Sequence, residues 1–161
     1  MAYRTTGYAR LTFPRNSIYS TGIPEITEWD AGQFYGDEAT QVDNIARYTR
    51  ETQGLSYKIG PAVVGEGFSY ETSVRDEDVL SPVRIMAMLV YAAHLGKLGD
   101  ARVIYQDRGL AKSTATDQRL KAWGFWLPGE EHARDAMRHA ITALRRARAK
   151  QRVRDMLWNN P

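Results

Sequence analysis

The sequence predicts a mixed α/β fold with helices on both faces of the sheet, antiparallel in its first strands and parallel afterwards. Three observations carry this. The first third is rich in β-prone and aromatic residues broken by turn signals. A glycine-flanked apolar core, Ala62-Val63-Val64, then has the character of an interior strand. After it, helical and extended stretches alternate to the end of the chain.

In order, 6–13 mixes aromatic and β-prone residues and reads as a strand. A second extended stretch runs from about Ile18, breaks at Gly22 and Pro24, and resumes over 25–29. Asp30-Ala31-Gly32 carries the composition of a turn. The run 37–52 reads as a helix, with Asp37 as candidate N-cap, apolar residues at helical spacing and Gly54 as its stop. The strand 61–68 follows, and 71–78 is polar enough for a loop. Ser81 and Pro82 suit an N-cap and first helical position, and the helix after them is apolar almost all round, so it is expected to be buried. A short strand, 102–106, leads to a loop and small helix over 110–124. A Trp-rich turn with Pro128 and Gly129 precedes a long terminal helix, expected over about 130–157.

The chain has 161 residues, 43% hydrophobic and 25% charged, which fits one domain over 1–161 with its own core. No apolar run approaches the ~20 residues a bilayer span needs, so no membrane contact is expected. The N-terminus lacks the apolar core of an export signal, which makes the cytoplasm the expected compartment. The absence of cysteine excludes disulfides, thiol catalysis and cysteine-ligated zinc. Net charge is only +3, yet Arg145, Arg146, Arg148, Lys150, Arg152 and Arg154 fall within ten residues without an acid. Cations favour a helix C-terminus, but six exceed what the macrodipole requires, and the cluster points to a polyanion.

Three groups carry candidate chemistry. Glu66 ends the apolar strand between Gly65 and Gly67. A carboxylate there is costly without a partner, and the glycines leave room for a metal or a substrate backbone; an exposed acid before an ordinary turn is the plainer alternative. His132 and Asp135 are three apart at the start of the terminal helix and share a face, which suits either half a metal site or a simple helix start. His139, one turn on, suits packing or a DNA-facing position. Gln106 and Lys112 follow a strand end and can be placed near phosphates or bases. No phosphate loop of the P-loop or dinucleotide type is present. Carboxylates with a histidine and no thiol suit hard cations such as Mg²⁺ or Mn²⁺. Beside a basic helix, such ions suggest phosphodiester hydrolysis.

The stretches TTGYARL (5–11), EWDAGQF (28–34), VVGEGFS (63–69), LSPVRIMAML (80–89), VIYQ (103–106) with Ala111-Lys112, and RLKAWGFWLPGEEHARDAMRHAI (119–141) together resemble the RuvC-like Holliday junction resolvases common in phages of actinobacteria. The resemblance implies an RNase H-like fold, an acidic cluster binding Mg²⁺, a homodimer, and Holliday junctions or other branched DNA as substrate in the host cytoplasm. Glu66 falls on the acid ending the family's fourth strand and Asp135 on the acid of its terminal helix. His132 falls on a helix position that is an acid in some members and a histidine in others. Arg145, Arg146, Arg148, Lys150 and Arg152 would contact backbone phosphates, and the loop 71–78 the junction. The chain departs from the family in one respect: a first strand ending in Asp-Pro-Gly should precede Thr6-Gly7. Aligning Thr21-Gly22 instead would put Asn16 in the aspartate position. Either the start lies upstream of Met1, or the chain is a non-catalytic or truncated DNA-binding relative. Weak Mg²⁺-dependent activity is therefore expected.

Overall fold

The structure is a computed structural model that describes residues 5–14, 25–53, 62–67 and 77–158. The expected extended stretch at 18–24, Asn16 and most of the expected junction loop, 71–76, lie outside the described residues.

Strand β1 (Thr5–Thr12) pairs antiparallel with β2 (Glu28–Tyr35), in register from Thr5↔Tyr35 to Thr12↔Glu28. Asp30-Ala31-Gly32 is therefore mid-strand, not a turn. The Asp30 carboxylate finds hydroxyl donors in Tyr8 and Tyr48, and Gly32 lies under the Tyr8 ring, where a Cβ would come within 3.0 Å of it. Helix α1 (Glu38–Gln53) starts where expected. The Thr40 amide donates to Asp37 Oδ1 at 2.8 Å, a cap that holds the Asp37 carboxyl below the usual carboxylate range.

Strand β3 (Ala62–Gly67) runs parallel to β4 (Arg102–Asp107), in register from Ala62↔Arg102 to Gly67↔Asp107. Helix α2 (Glu77–His94) connects them. It begins upstream of the expected Ser81–Pro82 cap, and Pro82 lies inside the helix. Nor is α2 buried all round. Ile85, Met86, Leu89 and Ala92 face the core, while Val90, Tyr91 and Leu95 just beyond the helix end are exposed.

Two short helices follow, α3 (Arg108–Thr114) and α4 (Asp117–Ala122), capped by the side chains of Asp107 and Thr116. The expected single terminal helix is two: α5 (Glu131–Ala149) and α6 (Gln151–Trp158), broken at Lys150, whose backbone is extended. The break has a packing reason. It turns Val153 and Leu157 back onto Ala147, where they form a core with Ala62, Val64 and Ile104, and α6 lies against β4.

Among the described residues the strands form two two-stranded sheets, β1-β2 and β3-β4. Helix α5 packs on β1 and β2 and also reaches β3. One core joins α1 and α2 to the β3-β4 sheet around Val42, Ala46, Leu89 and Leu98. A second joins α5 to the β1-β2 sheet around Leu120, Met137 and Ile141. Burying a side chain such as Leu120 or Met137 contributes about 2 kcal/mol. Two glycines set the spacing of these layers. A Cβ at Gly7 would stand 1.9 Å from the His132 carbonyl oxygen, so β1 touches the first turn of α5 backbone to backbone. A Cβ at Gly65 would stand 1.9 Å from Met86 Sδ, so α2 seats a core methionine against β3.

Candidate metal and nucleic-acid site

The site is built around α5. Its entry is fixed by the aromatic turn before it. Arg134 Nη1 donates to the Leu127 carbonyl at 2.7 Å, and Arg134 and Lys121 both lie over the Trp126 ring, at 4.7 and 4.4 Å from its centroid. Trp123, Phe125 and Trp126 also pack on the Leu120–Met137–Ile141 core. The first turn of α5 is thus held from two directions, by Gly7 of β1 and by this turn.

His132 and Asp135 occupy the face expected of them, but in different settings. His132 is exposed. Asp135 is half-buried, and its Oδ1 accepts a hydrogen bond from Arg138 Nη1. Arg138 is itself buried. Its Nη2 donates to Asp117 Oδ1, and its Nε donates to the Ala115 carbonyl at 3.2 Å. One guanidinium therefore joins the first turn of α4 and the end of α3 to α5, and Asp135 shares it. Asp135 Oδ2 has no partner among the described residues.

Glu66 sits at the expected end of β3, and its backbone pairs in register with that of Gln106 on β4; its side chain lies outside the described ones. Gln106 does not reach outward toward phosphates or bases as expected. It is buried, and its Nε2 donates to both His139 Nδ1 and the His139 carbonyl, each at 3.1 Å. This pair pins α5 to the strand end at the level of Glu66. From His139, Asp135 is one turn back, about 6 Å along the axis. The fold thus brings the strand position of Glu66 to the helix that carries Asp135 and His132. Among the described residues no three His, Asp or Glu groups converge on one point.

The cationic segment is divided by the break. Arg145, Lys150 and Arg152 are exposed, and Arg146 and Arg148 partly so. Arg145 also lies over the Trp123 ring, 5.4 Å from its centroid. Arg154 is used differently. Its Nη1 donates to the carbonyls of Ala147 and Arg148, at 2.9 and 3.0 Å, and so closes the C-terminus of α5. Lys112, in the last turn of α3, is exposed.

Two groupings were not foreseen. One is the Asp117–Arg138–Asp135 set. The i,i+3 spacing of Asp135 and Arg138 was a visible signal for half of it; Asp117, across a helix and a turn, had none. The other is Tyr8 and Tyr48, which donate to Asp30 Oδ2 at 3.4 and 2.5 Å. Burial first, and then the Asp30 carboxylate, raise both phenols above their ordinary range. Tyr8 stacks on Phe34 and meets Tyr48, so this set anchors α1 to the β1-β2 sheet.

No helix among the described residues is long and apolar enough to cross a membrane. Searches of protein-family models, curated proteins and solved structures match this chain to none of them.

Proposed function

We propose that the chain is a metal-dependent endonuclease of the RuvC-like, RNase H-like kind that acts on Holliday junctions or related branched DNA as a homodimer. The observation that carries the reading is the convergence on α5. The Gln106–His139 contact brings the end of β3, with Glu66, to the helix that bears Asp135 and His132, and that helix runs on into the cationic segment.

Two carboxylates and an imidazole without thiols are a donor set for Mg²⁺ or Mn²⁺, and Asp135 Oδ2 can serve as one donor. When bound, such ions activate water and stabilise a leaving phosphodiester oxygen. The chain's own residues do the rest. Gln106 and His139 hold α5 at the strand end. Gly7 lets β1 approach the His132 turn. Arg145, Arg146, Arg148, Lys150, Arg152 and Lys112 neutralise backbone phosphates, which makes binding strongly salt-dependent. The exposed Val90, Tyr91 and Leu95 supply apolar surface for a second copy.

A second reading, a non-catalytic DNA-binding relative, is favoured by one observation: the Asp135 carboxylate is already paired with the buried Arg138. A junction binding and cleavage assay with Mg²⁺ or Mn²⁺ separates the two. The nuclease reading expects slow junction cleavage that disappears in Glu66→Ala and Asp135→Ala while junction binding persists. Junction binding with no metal-dependent cleavage at any concentration would leave the binding protein. Failure to bind either branched or linear DNA would remove both.

A further inference from the structure

The ion set at Asp135 carries a consequence for metal binding, one that rests on the metal-dependent reading. Arg138 follows Asp135 by three residues on α5, and its side chain is only 11% exposed. It is held at three points: Asp135 on its own helix, Asp117 at the start of α4, and the Ala115 carbonyl at the end of α3. With three contacts holding it, the guanidinium would stay beside the carboxylate when another cation arrives. A divalent ion taken up on Asp135 would thus share its carboxylate with a resident positive charge, in surroundings of reduced dielectric. Asp117 pulls the same guanidinium the other way. Its side chain is 59% exposed, and it belongs to a different helix.

The geometry points to Arg138 as a built-in cation that competes with a divalent ion for Asp135, and to Asp117 as the residue that sets how strongly it competes. Both are positioning residues, acting through the Asp135 carboxylate. Removing Arg138 frees Asp135 for the metal. Removing the Asp117 charge leaves more of the Arg138 charge on Asp135 and weakens metal binding. The two substitutions therefore push affinity in opposite directions, which a merely structural bridge would not do.

The test is direct Mn²⁺ binding to the full chain, by electron paramagnetic resonance and calorimetry, with circular dichroism as the fold control. Arg138→Met should bind Mn²⁺ about tenfold tighter than the parent chain, and Asp117→Asn roughly threefold weaker. The Asp117→Asn effect should vanish on the Arg138→Met background, since it acts through the guanidinium. Equal affinities in all four proteins, or weaker binding in Arg138→Met while folded, would overturn the proposal and leave the metal reading standing. Should Arg138→Met fail to fold, the mostly exposed Asp117 carries the test alone: weaker binding in Asp117→Asn supports the proposal and unchanged binding overturns it. If neither the parent chain nor any folded variant binds Mn²⁺, the metal-dependent reading falls, and the proposal with it.

Discussion

Asp30 illustrates how a residue's role depends on partners far away in the sequence. Between Trp29 and Gly32 it has the look of a turn residue, yet its carboxylate receives two phenol hydroxyls in the middle of a strand. Those partners are 22 and 18 residues away, beyond the reach of local pattern. The same holds for Arg138, whose bridge to Asp117 spans 21 residues. By contrast His132 and Asp135 announced themselves through helical spacing, a purely local signal. The tyrosines give a pH prediction. Their phenols are raised above the ordinary value of 10.0, so the folded chain keeps two protons that the unfolded chain gives up as the pH climbs past that value. Their stabilisation is complete below that pH and is lost as pH rises through the raised folded values. Tyr48→Phe should cost about 1 kcal/mol at neutral pH through the lost hydrogen bond. It should also flatten the alkaline fall of stability, which urea titrations on either side of about pH 10 will read. An equally steep alkaline fall in the variant would place the sensitivity elsewhere.

At the scale of elements, local signals located most of what exists and missed how it ends. Asp37, the glycine-flanked β3 and the Pro128–Gly129 turn marked their elements correctly, because caps and breakers act within a few residues. The start of α2 was misplaced because Ser81-Pro82 is a good helix beginning that a longer helix passes through. The break at Lys150 left no mark, because it is imposed by the docking of Val153 and Leu157 on β3-β4. Two predictions belong here. Gly7→Ala sets a methyl against the backbone of α5 and should cost about 3 kcal/mol, whereas Gly65→Ala meets the flexible end of Met86 and should cost about 1 kcal/mol. Chemical denaturation of both variants checks the order, and equal costs would deny the close approach of β1 to α5. The cationic segment should divide likewise. Replacing Lys150 and Arg152 together by Gln should leave stability unchanged and reduce the salt slope of DNA binding by up to about 0.9 for each phosphate left without its cation. Arg154→Gln should instead lower stability by about 1 kcal/mol, through the uncapped end of α5. Binding isotherms over a salt series, read with melting curves, separate the two roles.

For the whole molecule, most of the order of elements was legible, and the division of the described strands into two sheets, where one mixed sheet was expected, was not, since strand partners are chosen by long-range pairing. The same limit hid the outer face of α2. Its sequence is apolar almost all round after Ser81, and the packing of α1 and the β3-β4 sheet decides which side remains outside. Val90, Tyr91 and Leu95 are left there at 40%, 63% and 50% exposure, and Ala87 with Tyr91 and Leu95 falls at four-residue intervals along one side. Scattered exposed apolar residues need no explanation, but a row of them on one helix is suited to contact. A four-way junction has two-fold symmetry, and a two-fold dimer with one α5 per half would present two cationic segments to it. Tyr91→Glu places a charge in the middle of that row without touching the core. It should convert a dimer to a monomer in analytical ultracentrifugation with the circular dichroism spectrum intact. Affinity for a single duplex should change little, because Arg145, Lys150 and Arg152 lie on other helices or at the break between them. Affinity for a four-way junction should fall by about tenfold or more, since two linked cationic segments would become one. If Tyr91→Glu keeps both the dimer mass and the junction preference, the second copy docks on another face.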